Sequence, residues 1–262
     1  MLELIIDLLY VIYFGSQLIT GTFLLFRTIK IKQLNLIPLV LFFFLNPLEI
    51  LLILLVGSSI VVNMLSNIAL IFFTKFTFFR DRKSIFMYLL VSLIIIKIID
   101  IILKLYVPFS LPLSFVITPS KVPYFYLYLS LTSLSILLSY PWLGLTALRY
   151  YYSIKTRDIE PWIKIRYKLI GYSSLIITVN AILYLLVPIN TYDWEQLNSF
   201  IIGLLITIDT TIFSIANLFA WVIPKILKSY FNRHYQGDIE EDLTEDEIMN
   251  KVRQDLDKKG NK

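Results

Sequence analysis

An all-α, polytopic membrane fold with seven transmembrane helices follows from three observations on the 262-residue sequence. Hydrophobic residues make up 57% and charged residues 16% of the chain, and the mean hydropathy is +0.74, too apolar for a soluble domain. Apolar runs of about 20 residues, enough for a helix to cross about 30 Å of hydrocarbon, recur from end to end. Lysine and arginine are concentrated in alternate connections between those runs.

The first run, Leu2 to Phe26, carries Glu3 and Asp7 where a signal peptide has a basic leader, and is read as a retained span. The second, Leu34 to Val56, is divided from the third, Ile60 to Phe79, at Gly57-Ser58-Ser59, because an unbroken run of that length is too long to cross once. Asn46 and Pro47 are expected to break the second span just before Glu49. The fourth span is Ile85 to Tyr106, and the connector after it, VPFSLPLSFVITPSKVP, holds four prolines and reads as a stiff segment lying on the outer surface. The fifth, Tyr124 to Leu148, is expected to kink at Pro141. The sixth is Leu169 to Val187 and the seventh Ser199 to Ile223. Tyr124, Tyr126, Tyr128, Trp194 and Trp221 at span ends read as an interfacial aromatic belt.

These spans form one domain over residues 1–236. Residues 237–262 form a charged tail with nine acidic side chains between 238 and 257. Thr244 and Glu247 make a capping box there, opening a short amphipathic helix with Ile248, Val252 and Leu256 on one face.

Topology follows from the cations, because clustered lysine and arginine beside a span resist translocation. Arg27, Lys30 and Lys32 lie in the first connection, and Arg80, Arg82 and Lys83 in the third. The fifth holds six cations, and Lys225, Lys228 and Arg233 follow the seventh span. The second and sixth connections have none and the fourth only Lys121. This alternation predicts an outside N-terminus and a cytoplasmic C-terminus in the cell membrane.

Several chemistries are excluded by what is missing. No cysteine is present, so there are no thiolate metal sites, disulfides or cysteine nucleophiles, and the single histidine, His234, follows the last span. The seventh span has no lysine for a retinal Schiff base, and the chain has no phosphate-binding GxxxxGK[ST] loop and no HExxH. No enzyme activity, cofactor or metal is expected.

Charges inside the spans each cost at least about 2.5 kcal/mol in hydrocarbon and call for a partner or a polar path. In KIIDIILK, Lys97 stands three residues before Asp100, and Lys104 four after it, near one helical face. Lys104 can snorkel outward, whereas Lys97 lies about 18 Å from the cytoplasmic start of its span. Asp7, Glu49 and Asp100 fall in the outer half and Asp209 near the midplane, with Asn63, Asn67, Asn180, Thr210, Ser214 and Asn217 adding polar atoms. The expected arrangement is a polar path lined by Asp7, Glu49, Lys97, Asp100, Lys104, Asn180 and Asp209. The competing reading is that these groups tie helices together in pairs.

The fifth connection, RYYYSIKTRDIEPWIKIRYK, interleaves six cations with five aromatic rings and only two acids. Interfacial loops are commonly basic and aromatic, yet the same interleaving suits single-stranded nucleic acid, with cations on phosphates and rings stacked on bases. The residues expected to hold a polyanion are Arg149, Tyr151, Lys155, Arg157, Trp162, Lys164, Arg166 and Lys168. Five of the 24 basic and nine of the 19 acidic residues lie in the tail, leaving nineteen against ten elsewhere.

With its seven spans, short outer connections, absence of cysteine, the stretch RYYYSIKTRDIEPWIKIRYK and the tail EEDLTEDEIMNKVRQDLDKK, the chain resembles the CedA family, the polytopic membrane subunits of the crenarchaeal DNA-import system. The likeness is one of layout across the whole chain. It implies an archaeal channel component for DNA uptake between cells, working with small membrane subunits and a separate cytoplasmic ATPase. The helical bundle of one subunit is too narrow to enclose a strand, so oligomers or partner subunits are expected to line the passage. A sensor binding a small extracellular ligand and an ion-coupled small-solute transporter are the alternatives that the layout leaves open.

Overall fold

The computed structural model describes residues 2–56, 60–79, 84–106, 122–156, 160–187, 197–222 and 225–233. Their regular structure is helical: α1 (Leu2–Ile31), α2 (Ile37–Val56), α3 (Ile60–Phe78), α4 (Phe86–Tyr106), α5 (Val122–Ile154), α6 (Pro161–Thr178), α7 (Asn180–Leu185), α8 (Leu197–Trp221) and α9 (Lys225–Asn232). A single 3-10 turn, Leu34–Leu36, leads into α2. Seven segments are long and apolar enough to cross a membrane, the sixth made of α6 and α7 together over Pro161–Leu185. Residues 107–121 of the proline-rich connector, residues 80–83 of the cationic third connection and the acidic tail lie outside the described residues.

Several helices outrun the apolar stretches that announce them. α1 continues to Ile31, α5 continues to Ile154, and α6 begins at Pro161 instead of Leu169. The expected basic connection of twenty residues is therefore mostly two helix ends, with only residues 155–160 falling between α5 and α6. Apolar runs mark the hydrocarbon layer, whereas a helix stops only where its backbone is interrupted. Pro161 sits at the first position of α6, where its missing N–H removes nothing from the hydrogen-bond ladder. The expected break at Asn46-Pro47 is absent: α2 runs through Pro47, and α5 likewise runs through Pro141.

Contacts between helices fix the order of the bundle. Thr211 Oγ1 donates to the Leu9 carbonyl at 3.4 Å and Ser214 Oγ to that of Tyr13 at 3.3 Å, so α1 and α8 run side by side in the same direction. Ser16 and Ser214 also share a hydrogen bond between their hydroxyls. A parallel first and last span is what an odd number of crossings produces. α2 and α3 are antiparallel, with Ser66 Oγ donating to Asn46 Oδ1 at 2.5 Å. α5 and α6 approach closely at Gly144 and Gly171, where a Cβ on Gly171 would lie 2.6 Å from Leu148 Cγ and one on Gly144 3.1 Å from the Gly171 carbonyl. Small residues allow this approach in a bilayer, where close packing replaces the hydrophobic drive between helices.

Aromatic side chains fill the centre of the bundle. Phe42 of α2, Tyr140 of α5 and Phe213 of α8 meet edge to face with centroids 5.4–6.2 Å apart, and all three are buried. At one end Tyr150 donates to the carbonyl of Phe78 at 2.8 Å, satisfying one of the acceptors that the last turn of α3 leaves open. Phe73 packs on Trp221 at 5.9 Å, so the C-terminal ends of α3, α5 and α8 gather at the same end. The C-terminus of α1 joins them, because α1 runs parallel to α8.

Candidate functional site

Two polar groupings stand out, one inside the bundle and one at the end where these helices finish. The inner one is centred on Asn63 of α3. Its Nδ2 donates to Glu49 Oε1 of α2 at 2.8 Å, while its Oδ1 accepts from Lys97 Nζ of α4 at 2.6 Å. Lys97 lies 3.8 Å from Asp100 Oδ2, one turn along its own helix. Asn67 Nδ2 contacts the Asn63 carbonyl at 2.9 Å and its Oδ1 at 3.3 Å. An amide fits the central position because one face donates to the carboxylate and the other accepts from the ammonium. Lys97 and Asp100 are only 1% and 2% exposed, so the ion pair is held away from solvent and lipid.

Of the residues expected along an intramembrane path, the structure therefore connects Glu49, Lys97 and Asp100. Asp7 is exposed on α1 and does not join them, a correction whose cause is helical phase: Ile6 and Tyr13 point inward while position 7 points outward. Asp209 is half-buried on α8, outside this hydrogen-bonded chain. The side chain of Lys104 lies outside the described ones. Asn180 is buried, and its side-chain carbonyl has no partner among the described residues. Gln17 of α1, which the sequence reading passed over, is completely buried with neither amide atom partnered among the described residues. Each such atom costs about 1–3 kcal/mol relative to a satisfied one. Asn63 as the hub was equally hard to foresee. Its spacing to Asn67 was visible, but its reach to α2 and α4 depends on tertiary packing.

The second grouping divides the eight residues expected to hold a polyanion. Arg166 is a correction: it is 2% exposed, and its guanidinium lies 3.8 Å from the ring centroid of Trp221 and 5.9 Å from those of Trp162 and Tyr167. The expected belt residue Trp221 is likewise buried, beneath Arg166. Trp162 is tied inward as well. Its indole donates to Glu160, its backbone N–H donates to Asn232 Oδ1 of α9 at 3.3 Å, and Lys228 stands 5.1 Å over its ring. Glu160 also receives Asn232 Nδ2 at 3.2 Å and faces Lys228 at 3.6 Å, so α9 is clamped onto the start of α6. Arg149, Lys155 and Lys168 are exposed, Tyr151 and Lys164 half-buried, and Arg157 lies outside the described residues.

Among the described residues no cluster of three metal-ligating side chains occurs. Hydrophobic spans, a buried ion-pair network and a cationic bundle end define a multi-pass membrane protein. Comparison with protein-family models, curated proteins and solved structures gives no match.

Proposed function

We propose that the chain is the membrane-embedded subunit of a DNA-translocating pore in the cell membrane, importing DNA between cells, with its N-terminus outside and its cationic end in the cytoplasm. The observation that carries this reading is the gathering at one end of the bundle of the cations on α1, α5 and α6, with Arg149, Lys155 and Lys168 turned outward. Cations so placed attract a polyanion whatever its sequence. The aromatic core of the chain leaves the strand a passage between subunits, which calls for oligomers or small membrane partners. A separate cytoplasmic ATPase supplies the drive, in keeping with the layout shared with the CedA family.

Changing Arg149, Lys155 and Lys164 together to glutamine is expected to weaken single-stranded DNA binding by the purified protein and to stop DNA transfer in cells. The log–log dependence of affinity on salt should become shallower by roughly 2, about 0.7 for each cation removed. Fluorescence anisotropy of a labelled oligonucleotide across a salt series measures it. An unchanged slope with unimpaired transfer refutes the reading.

A second reading, an ion-coupled small-solute transporter, is favoured by one observation: the chain Glu49–Asn63–Lys97–Asp100, half-buried at Glu49 and Asn63 and buried at Lys97 and Asp100, with the unpartnered atoms of Gln17 and Asn180 elsewhere in the bundle. The two readings part in the behaviour of Lys97 variants, taken up in the Discussion.

A further inference from the structure

The outer seam between α5 and α6 changes character along its length. On α5, Leu145, Arg149 and Tyr152 fall at i, i+4 and i+7 and are all exposed. On α6 and the residue that follows it, Lys168, Tyr172, Ile176 and Val179 fall at i, i+4, i+8 and i+11 and are all exposed. Because the helices are antiparallel, with Gly144 against Gly171, the two stripes lie side by side and run in the same chemical order. Lysine and tyrosine stand at the cationic end, with leucine, isoleucine and valine further into the membrane.

Tyr152 of α5 and Tyr172 of α6 stand on the same flank of the seam, 58% and 43% exposed respectively. Lys155 follows Tyr152 by three residues and Lys168 precedes Tyr172 by four, and both cations are exposed. Among the described residues neither of them, nor Arg149, is ion-paired. Three cations and two phenols thus border an apolar strip at the cationic end of the bundle. α5 itself, at 33 residues, is about 50 Å long and must project beyond a hydrocarbon layer of about 30 Å.

We propose that this seam binds the phosphate headgroup of an anionic membrane lipid. Lys168 and Lys155 compensate its charge, the Tyr152 and Tyr172 hydroxyls donate to its oxygens, and an acyl chain lies along Leu145, Ile176 and Val179. Interhelical cationic pockets at the cytoplasmic boundary are suited to such headgroups, and a phenol is at home where an apolar body meets a polar tip. Nucleic acid matches the charges but not the apolar continuation, since a strand has no hydrocarbon to place on Leu145 and Ile176. The inference shares Lys155 and Lys168 with the DNA reading and adds to them the two phenols and the apolar strip, which a strand does not use.

The test is native mass spectrometry of the full chain, delipidated in mild detergent and then given phosphatidylglycerol or phosphatidylcholine. The wild type should retain one phosphatidylglycerol and no phosphatidylcholine. The Lys168→Gln/Tyr172→Phe variant should retain phosphatidylglycerol about fivefold less, the scale of losing one cation at a membrane surface. Lys168→Arg, which keeps the charge, should retain it as the wild type does, separating charge from damage to the fold. Equal retention by wild type and double variant overturns the proposal, as does equal retention of the two lipids. So does a variant that keeps phosphatidylglycerol while losing a single-stranded oligonucleotide, which would assign the seam to nucleic acid.

Discussion

Replacing Lys97 with methionine is expected to lower the stability of the detergent-solubilised protein by about 3–5 kcal/mol, the cost of removing one partner from a buried ion pair. Methionine matches the length of the lysine stem, so little packing is lost. What goes is the donor to Asn63 Oδ1 and the compensating charge 3.8 Å from Asp100. Asp100, 2% exposed, then keeps its charge inside the bundle without Lys97 beside it, and Glu49 keeps its bond from Asn63. Neutralising the acids as well, in Lys97→Met with Glu49→Gln and Asp100→Asn, should recover a substantial part of the loss. Thermal unfolding and denaturant titration of the two variants measure this, and a loss under about 1 kcal/mol in the single variant would mean that the pair is well solvated. The same variants separate the two functional readings. If the network is structural, DNA transfer falls only in proportion to the folded protein made. If it is the coupling site of a transporter, solute flux into proteoliposomes fails for each correctly folded molecule.

The spans were legible in the sequence because bilayer crossing imposes a length and an apolarity that few other structures need. The local pairing of Lys97 with Asp100 was legible too, since three residues along a helix bring side chains to the same face. Asn63 was not: nothing local distinguishes an asparagine that bridges three helices from one that faces its own turn. Arg166 and Lys168 show the same limit. They stand two positions apart in one basic stretch, yet helical phase turns the first into the bundle and the second outward. The break expected at Pro47 failed for a related reason. In a packed membrane bundle neighbouring helices can accommodate a proline within an unbroken helix.

Arg166→Gln is expected to destabilise the protein by about 2 kcal/mol or more, as befits a desolvated cation on an aromatic face, while leaving the affinity of the folded protein for single-stranded DNA unchanged. The guanidinium of Arg166 is only 3.8 Å from the Trp221 centroid, so it joins the first turns of α6 to the last turn of α8. Trp162, within 5.9 Å of the same cation, carries the connection to α9 through Asn232 and Glu160. Lysine should not replace it, because a compact ammonium cannot lie flat on an indole. Trp221→Leu should cost a similar amount, and the double variant little more than either single one, with a coupling of about 1 kcal/mol or above. Thermal unfolding of the four proteins completes the cycle, and anisotropy with a labelled oligonucleotide on the folded fraction supplies the second readout. Additive losses would deny the contact its energetic weight. An unchanged melting temperature with weakened DNA binding would go further, placing Arg166 among the cations that meet the strand and removing the distinction between cations that hold the bundle end together and those turned outward from it.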